Sequence, residues 1–255
     1  TCILIRTINS GYQQRILIGG DGNKYTHFLC VFNLLSIQLF HYMNTEYPKK
    51  IAENVTLYSG DPILYVVSNF VSDLECEAFI EASQGKLQPS TVISPDQHIK
   101  HESRTSDNCW VEHDANDIVH EVSKRLSILT QIPIRNAEQY QLVYYKKGAQ
   151  YKPHFDSFDY ETDDGKNNWE PGGQRMVTVL AYLNDVEEGG GTDFPELGVT
   201  VEPKKGDVVV FHNTLTEVPA SEHPKIHPKS LHAGTPVIQG EKWMVNLWFR
   251  ENLRY

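Results

Sequence analysis

Residues Tyr140–Asp156 read YQLVYYKKGAQYKPHFD, and the rest of the chain is best read outward from this stretch. It opens on aromatic and β-branched residues, which favour a strand, and turns at Lys147-Gly148. It ends on His154-Phe155-Asp156. Successive side chains of a strand point to opposite faces, so His154 and Asp156 are expected to project from the same one. An imidazole beside a carboxylate offers two of the three ligands of the facial triad that holds non-haem Fe(II). The pattern alone is weak, because His-x-Asp also arises by chance or as a surface ion pair. A second His from elsewhere must complete it.

The 255 residues suffice for one large domain, or for one domain with an appendage. Acidic residues outnumber basic ones 33 to 23, a formal net charge of −10. Phosphate backbones and anionic membranes want a basic surface, so neither nucleic acid nor a membrane is the expected partner. A local basic pocket for a small anion is compatible with this balance. Cys2, Cys30, Cys76 and Cys109 are scattered and form no CxxC pair. They read as buried or free thiols, which suits a reducing, cytoplasmic setting.

Residues 1–50 differ in texture and are expected to be an N-terminal extension, with one domain over 55–255. The apolar run 28–40 is broken by Asn33, Ser36 and Gln38 and falls short of the ~20 residues that span a bilayer. It also lacks the charged start and small-residue cleavage site of a signal peptide. The first Met is Met43, so the expectations for residues 1–42 are an amphipathic or poorly ordered extension or a natural start at Met43, with a membrane anchor or secretory form as the lesser alternative.

Leu64–Phe70 reads as a strand, and Ser72 with Glu75 as a capping box opening a helix to about Ser83. Residues 85–100 read as loop and His101–Val111 as extended chain. From Asp114 to Gln131, apolar residues at Ile118, Val119, Val122, Leu126 and Leu129 follow helical spacing, with Pro133 as the terminator. Beyond Glu138 come short β-like runs at Met176–Leu183, Val199–Val201, Asp207–His212 and Lys242–Arg250, parted by Gly and Pro turns. The expectation is a mainly β chain with flanking helices, built as a sandwich or jelly roll. The acidic connection Ser157–Gly173 is expected to be a solvated, flexible lid. No GxGxxG or Walker loop supports nucleotide chemistry.

Four histidines follow His154. His212 ends the apolar run VVVFH and is expected to be a buried, hydrogen-bonded residue. His223 and His227 sit among prolines, in an expected exposed loop. His232, in SLHAGTPVIQGEKW just before the last strand, is the best third ligand. Alternation in that strand puts Lys242, Met244, Asn246, Trp248 and Arg250 on one face, and Trp243, Val245, Leu247 and Phe249 on the other. The second set is apolar and wants a core. A Lys on the inward face needs an anion, which a dicarboxylate cosubstrate would supply.

His154-x-Asp156, His232 and Lys242 ten residues on resemble the Fe(II)/2-oxoglutarate-dependent dioxygenases, specifically the prolyl 4-hydroxylase-like family. The likeness runs from about Ser103 to Arg250 through RMVTVLAYLNDVEEGGGTDFP, PKKGDVVVF and LHAGTPVIQGEKWMVNLW. It implies a double-stranded β-helix (jelly roll, cupin-like) core with helices on its N-terminal side. It implies that His154, Asp156 and His232 bind Fe(II), and that Lys242, helped by Tyr145 and Thr192, holds 2-oxoglutarate. It matches Arg104, Ser106, Glu138, Arg175 and Trp248 to the peptide groove, and Arg250 stands where family members often have His. Glu138 and Tyr145 have opposite strand parity, so both face the site only if the strand bends or starts after Glu138. The implied reaction spends O₂ and 2-oxoglutarate, with ascorbate as reductant, to hydroxylate proline in a peptide or protein. Rival expectations are a hydroxylase of another side chain or of a free amino acid, a non-catalytic cupin-like binding module, and a zinc hydrolase. The last leaves Lys242 and Tyr145 unexplained.

Overall fold

Lys242–Arg250, the strand whose two faces differ most in chemistry, lies near the middle of a nine-stranded antiparallel sheet in the computed structural model. The structure describes residues 46–90, 103–215 and 222–254, with the short strands Val92–Ile93 and His98–Ile99 between the first two blocks. The run 28–40, Met43, Cys2 and Cys30 lie outside the described residues. Across the sheet the order is Lys49–Ala52, Val55–Gly60, Ile63–Val67, Val208–His212, Arg175–Tyr182, Lys242–Arg250, Tyr140–Tyr145, Asp107–Val111 and Gln88–Pro89. The sheet thus starts at Lys49, earlier than the expected boundary at 55.

The parity of the last strand sorts the molecule into two cores. Val245, Leu247 and Phe249 join Val177, Val179, Ala181 and Tyr140 under the helices, with Trp243 at the margin. Met244 joins Val143, Leu180 and Tyr182 on the opposite face, where they meet Phe194 and Val201 of a second sheet. That sheet has four antiparallel strands in the order Val199–Val201, Thr192–Phe194, His232–Gly234 and Tyr151–His154. The two facing sheets form the double-stranded β-helix, with the site between them.

Local chemistry explains the helices. Ser72 and Glu75 make both bonds of a capping box ahead of Asp73–Ala82, whose Phe79 ring meets Tyr140 edge-on at 4.9 Å. Asn116 caps Asp117–Thr130, which buries Val119, Val122, Leu126 and Leu129. Gln131, in the left-handed conformation at φ 57°, ends this helix two residues before Pro133. Arg125 reaches from the second helix to the Glu75 carboxylate at 2.5 Å, locking the pair together. Among the described residues no helix is long and apolar enough to cross a membrane. Cys76 and Cys109 are buried free thiols.

Three expectations fail. The stretch read as loop over 85–100 contains short strands, Gln88–Pro89 among them. The acidic connection after Asp156 is not a free lid: Asp163–Trp169 is a helix capped by Thr162, with Trp169 buried. Its carbonyls at Asn168 and Trp169 both accept from Arg250 Nη2, a tie that local composition does not reveal. His227 is buried rather than exposed, and its Nε2 lies 3.1 Å from Asp61 Oδ1.

Candidate active site

Strand pairing brings the ligands together. His154 and His232 are directly opposite each other on adjacent strands of the smaller sheet. Asp156 lies in a bend just past the end of its strand, so strand parity is not what aims it. Its Oδ1 is 3.8 Å from His154 Nε2 and its Oδ2 is 3.5 Å from His232 Nε2. Ligand atoms of all three residues lie within 4.8 Å of one another, the one such cluster found among the described residues.

Both histidines turn an unprotonated nitrogen toward the cluster. His154 Nδ1 donates to the Lys152 carbonyl and His232 Nδ1 to the Ser230 carbonyl, each at 2.9 Å. A carbonyl can only accept, so Nδ1 carries the proton and the Nε2 lone pair of each ring is free to face the centre. Burial, reinforced by the neighbouring His232, pushes the His154 pKa down to about 3 and keeps the ring neutral. Burial works against the Asp156 carboxylate, yet His232, His154, Arg175 and the Thr178 hydroxyl together bring its pKa down to about 2. Two neutral imidazoles and one carboxylate are the donor set of a non-haem Fe(II) site. The residues present fit the metal.

Lys242, on the last strand, is a buried cation. Lys242 is 2% exposed, and its Nζ donates to the Gly190 carbonyl at 2.6 Å. The rings of Tyr145 and Tyr182 flank it at 5.3 and 5.2 Å. Gly190 presents that carbonyl from a left-handed turn at φ 72°, which glycine adopts without strain. Among the described residues no carboxylate lies within salt-bridge distance of Lys242, and burial lowers its pKa to about 7. Thr192 Oγ1 meets the Tyr182 hydroxyl at 2.7 Å. A carboxylate would supply what this cation lacks.

The remaining sequence candidates are linked to the triad by chains of contacts. The Tyr151 ring stacks on His154 at 3.6 Å, and the Arg104 guanidinium lies 4.7 Å above Tyr151. Arg104 also donates to Gln141 Oε1 at 3.0 Å, and Ser106 pairs with Ser90 at 3.0 Å. Arg175 stacks on Trp248 at 3.8 Å and donates to the Asp156 carbonyl at 3.4 Å. Glu138 precedes the strand, which begins at Tyr140, and this resolves its parity. Its buried carboxylate accepts from Arg175 at 2.7 Å and from Arg250 at 3.1 Å. Burial works against its charge, but Arg175, Arg250 and Arg254 outweigh it and hold the group below the usual carboxylate range. Arg250 is spent on Glu138 and on backbone carbonyls.

Of the other histidines, His212 pairs with Val177 on the helix side of the sheet, away from the triad. Burial takes its pKa down to about 4. His223 is exposed beside Tyr160 and Trp169. Sequence reading missed Tyr182 and Thr178. Their signal was available: they are the polar residues on the site-facing side of RMVTVLAY.

A buried two-histidine, one-carboxylate cluster inside a double-stranded β-helix, with a buried lysine beyond it, is the architecture of a non-haem Fe(II) oxygenase. The family described as the 2OG-Fe(II) oxygenase superfamily matches residues 140–250. Probable prolyl 4-hydroxylase 7 of Arabidopsis thaliana is 35% identical over 214 residues, 76% of this chain and 64% of that protein. The chain therefore spans less than two thirds of that relative. The putative prolyl 4-hydroxylase of Acanthamoeba polyphaga mimivirus is 37% identical over 188 residues, 73% of this chain and 74% of that one. The crystal structure of the viral collagen prolyl hydroxylase of Paramecium Bursaria Chlorella virus-1, in its 2OG complex, superposes with a TM-score of 0.55. It is 31% identical and covers 73% of this chain and 95% of its own. The chain belongs to the prolyl 4-hydroxylase family of 2-oxoglutarate- and Fe(II)-dependent dioxygenases.

Proposed function

We propose that this chain 4-hydroxylates proline within an extended peptide or protein, and that the residues above divide the task as follows. The observation that carries the reading is the His154, Asp156 and His232 cluster, with Arg175 stacked on Trp248 and donating to the Asp156 carbonyl, and with Lys242 buried in the same fold. His154, Asp156 and His232 would hold Fe(II), and Lys242 would bind the distal carboxylate of 2-oxoglutarate, with Tyr145 and Thr192 completing that wall. Bound Fe(II) supplies the redox chemistry in which O₂ and 2-oxoglutarate become succinate and CO₂ as one oxygen atom enters the C–H bond of proline. Ascorbate is the reductant we assign to keep the metal ferrous.

The protein's own contribution is binding, orientation and exclusion of water. Proline has no backbone N–H, so a proline-rich strand offers carbonyl oxygens and ring surface, and its reader needs donors and aromatics. Trp248 is 5% exposed, and its buried Nε1 has no acceptor among the described residues. That indole N–H would take a substrate carbonyl beside the metal. Arg175 lies on the Trp248 ring and touches the Asp156 backbone, so it would link substrate register to the metal centre. Arg104 would cover the Tyr151 side. Glu138 fixes Arg175, and Ser106 fixes the neighbouring wall. Free proline could not fill such a groove.

The test is to incubate the enzyme with Fe(II), ascorbate and 2-oxoglutarate, alone, with a panel of proline-rich peptides, and with free proline. Succinate should rise well above the uncoupled background only with peptides. A rise with free proline alone would overturn the groove assignment and leave the dioxygenase chemistry standing.

A further inference from the structure

We propose that Asn213 is a positioning residue that ties Asp156 and His232 into one geometry, an inference that rests on the metal assignment above. Asn213 is fully buried, one residue past the strand Val208–His212, and its backbone and side chain serve both ligands. On the side-chain limb, Asn213 Nδ2 donates to Thr178 Oγ1 at 2.8 Å, and Thr178 Oγ1 donates to Asp156 Oδ2 at 2.7 Å. On the backbone limb, the Asn213 carbonyl accepts from Ser157 Oγ and from Ser230 Oγ, each at 3.3 Å. It also accepts from the His227 amide at 2.8 Å. Ser157 follows Asp156, and the Ser230 carbonyl orients the His232 ring.

The direction of the side-chain limb is forced. An ionised Asp156 has no proton to give, so Thr178 must donate its one hydroxyl proton to it. The Thr178 oxygen must then accept, which fixes the amide of Asn213 with its NH₂ toward Thr178. Asn213 Oδ1 is left facing the other way, buried and without a partner among the described residues. An orphaned buried amide oxygen is costly, and packing alone would not select it. The orientation follows if the task is to hold one carboxylate oxygen and leave Oδ1 of Asp156 for the metal. The Asn213 backbone N–H donates to the Met176 carbonyl at 2.9 Å, so the whole relay hangs from the central sheet.

The experiment is Mn(II) binding to the full metal-free chain, followed by electron paramagnetic resonance without turnover, with melting temperature measured alongside. Asn213→Ala keeps the backbone limb and removes only the relay, so it isolates the proposed role. Asn213→Ala and Thr178→Val should each weaken Mn(II) binding by about 10- to 100-fold, the usual cost of removing an outer hydrogen bond from a ligand. The double variant should bind no more weakly than the weaker single, because both changes break one chain. Thr178→Ser restores the hydroxyl and should bind nearly as wild type. Unchanged affinity in Asn213→Ala, losses that multiply in the double variant, or no rescue by Thr178→Ser would each overturn the role. Should Asn213→Ala fail to fold, Asn213→Leu, close in size and without the Nδ2 donor, takes its place and should show the same loss. His232→Ala is the control and should lose Mn(II) binding outright. Wild-type protein that binds no Mn(II) would instead overturn the metal assignment and the Asn213 role with it.

Discussion

Lys242 shows how much one buried side chain can dictate. Burial lowers its pKa to about 7, so near neutrality the lysine is poised between charged and neutral forms. A carboxylate bound beside it favours the charged form and raises that pKa. Binding of 2-oxoglutarate above about pH 7 should therefore take up a proton, and affinity should fall as pH rises from 7 toward 9. Calorimetry in buffers of different ionisation enthalpy reads the proton directly; no uptake at pH 8 would contradict the assignment. Lys242→Ala should raise the apparent KM for 2-oxoglutarate about tenfold or more, as loss of a charged hydrogen bond worth ~1.5–3 kcal/mol requires. Iron affinity should stay within a few-fold. That His154, Asp156 and His232 would cluster, and that Lys242 would be buried, could be read in sequence because the expected chemistry restricts residue type so tightly. Alternation marks Thr178 and Tyr182 only as polar residues on one face of their strand, and nothing local marks Asn213; their roles arise from cross-strand partners rather than from their own neighbours in the chain.

Elements are joined to the site by a second buried network around Glu138. Three guanidinium groups, from Arg175, Arg250 and Arg254, converge on its carboxylate at 2.7, 3.1 and 3.8 Å. Removing this carboxylate leaves Arg175 and Arg250 without their ion-pair partner, so Glu138→Gln should destabilise the fold by about 3–5 kcal/mol in urea unfolding. A change below 1 kcal/mol would mean that water or another acceptor satisfies the arginines. Arg250 carries the same network into Asp163–Trp169 through the carbonyls of Asn168, Trp169 and Gly173. Arg250→Ala should release that helix, seen as lost hydrogen-exchange protection over 163–169 while the central strands stay protected. Unchanged protection there would show that the helix holds itself. Composition marked this acidic segment as a loose connection because its anchor lies 81 residues away in sequence. The capping box at Ser72 and the helix from Asp117 could be read directly, since caps and apolar spacing are local signals.

At the scale of the whole molecule, two sheets divide the labour. The large sheet turns one face to the helices for stability and the other to the pocket, while the small sheet sets two histidines opposite each other. Sequence alternation exposed that division in the last strand, but it did not mark Lys49–Ala52 and Val55–Gly60, whose mixed residues gain their meaning from pairing with Ile63–Val67. Because the described sheet starts at Lys49, a chain beginning at Met43 retains every strand of it. Its melting temperature should match that of the longer chain, and a large drop would show that earlier residues pack on the domain. The most direct measurement of what the assembly does is tandem mass spectrometry of a proline-rich peptide after turnover with Fe(II), ascorbate and 2-oxoglutarate. The wild-type protein should add a single oxygen at carbon 4 of a peptidyl proline, and His232→Ala should add none. Oxygen found only on another side chain or on free amino acids would contradict peptidyl proline hydroxylation.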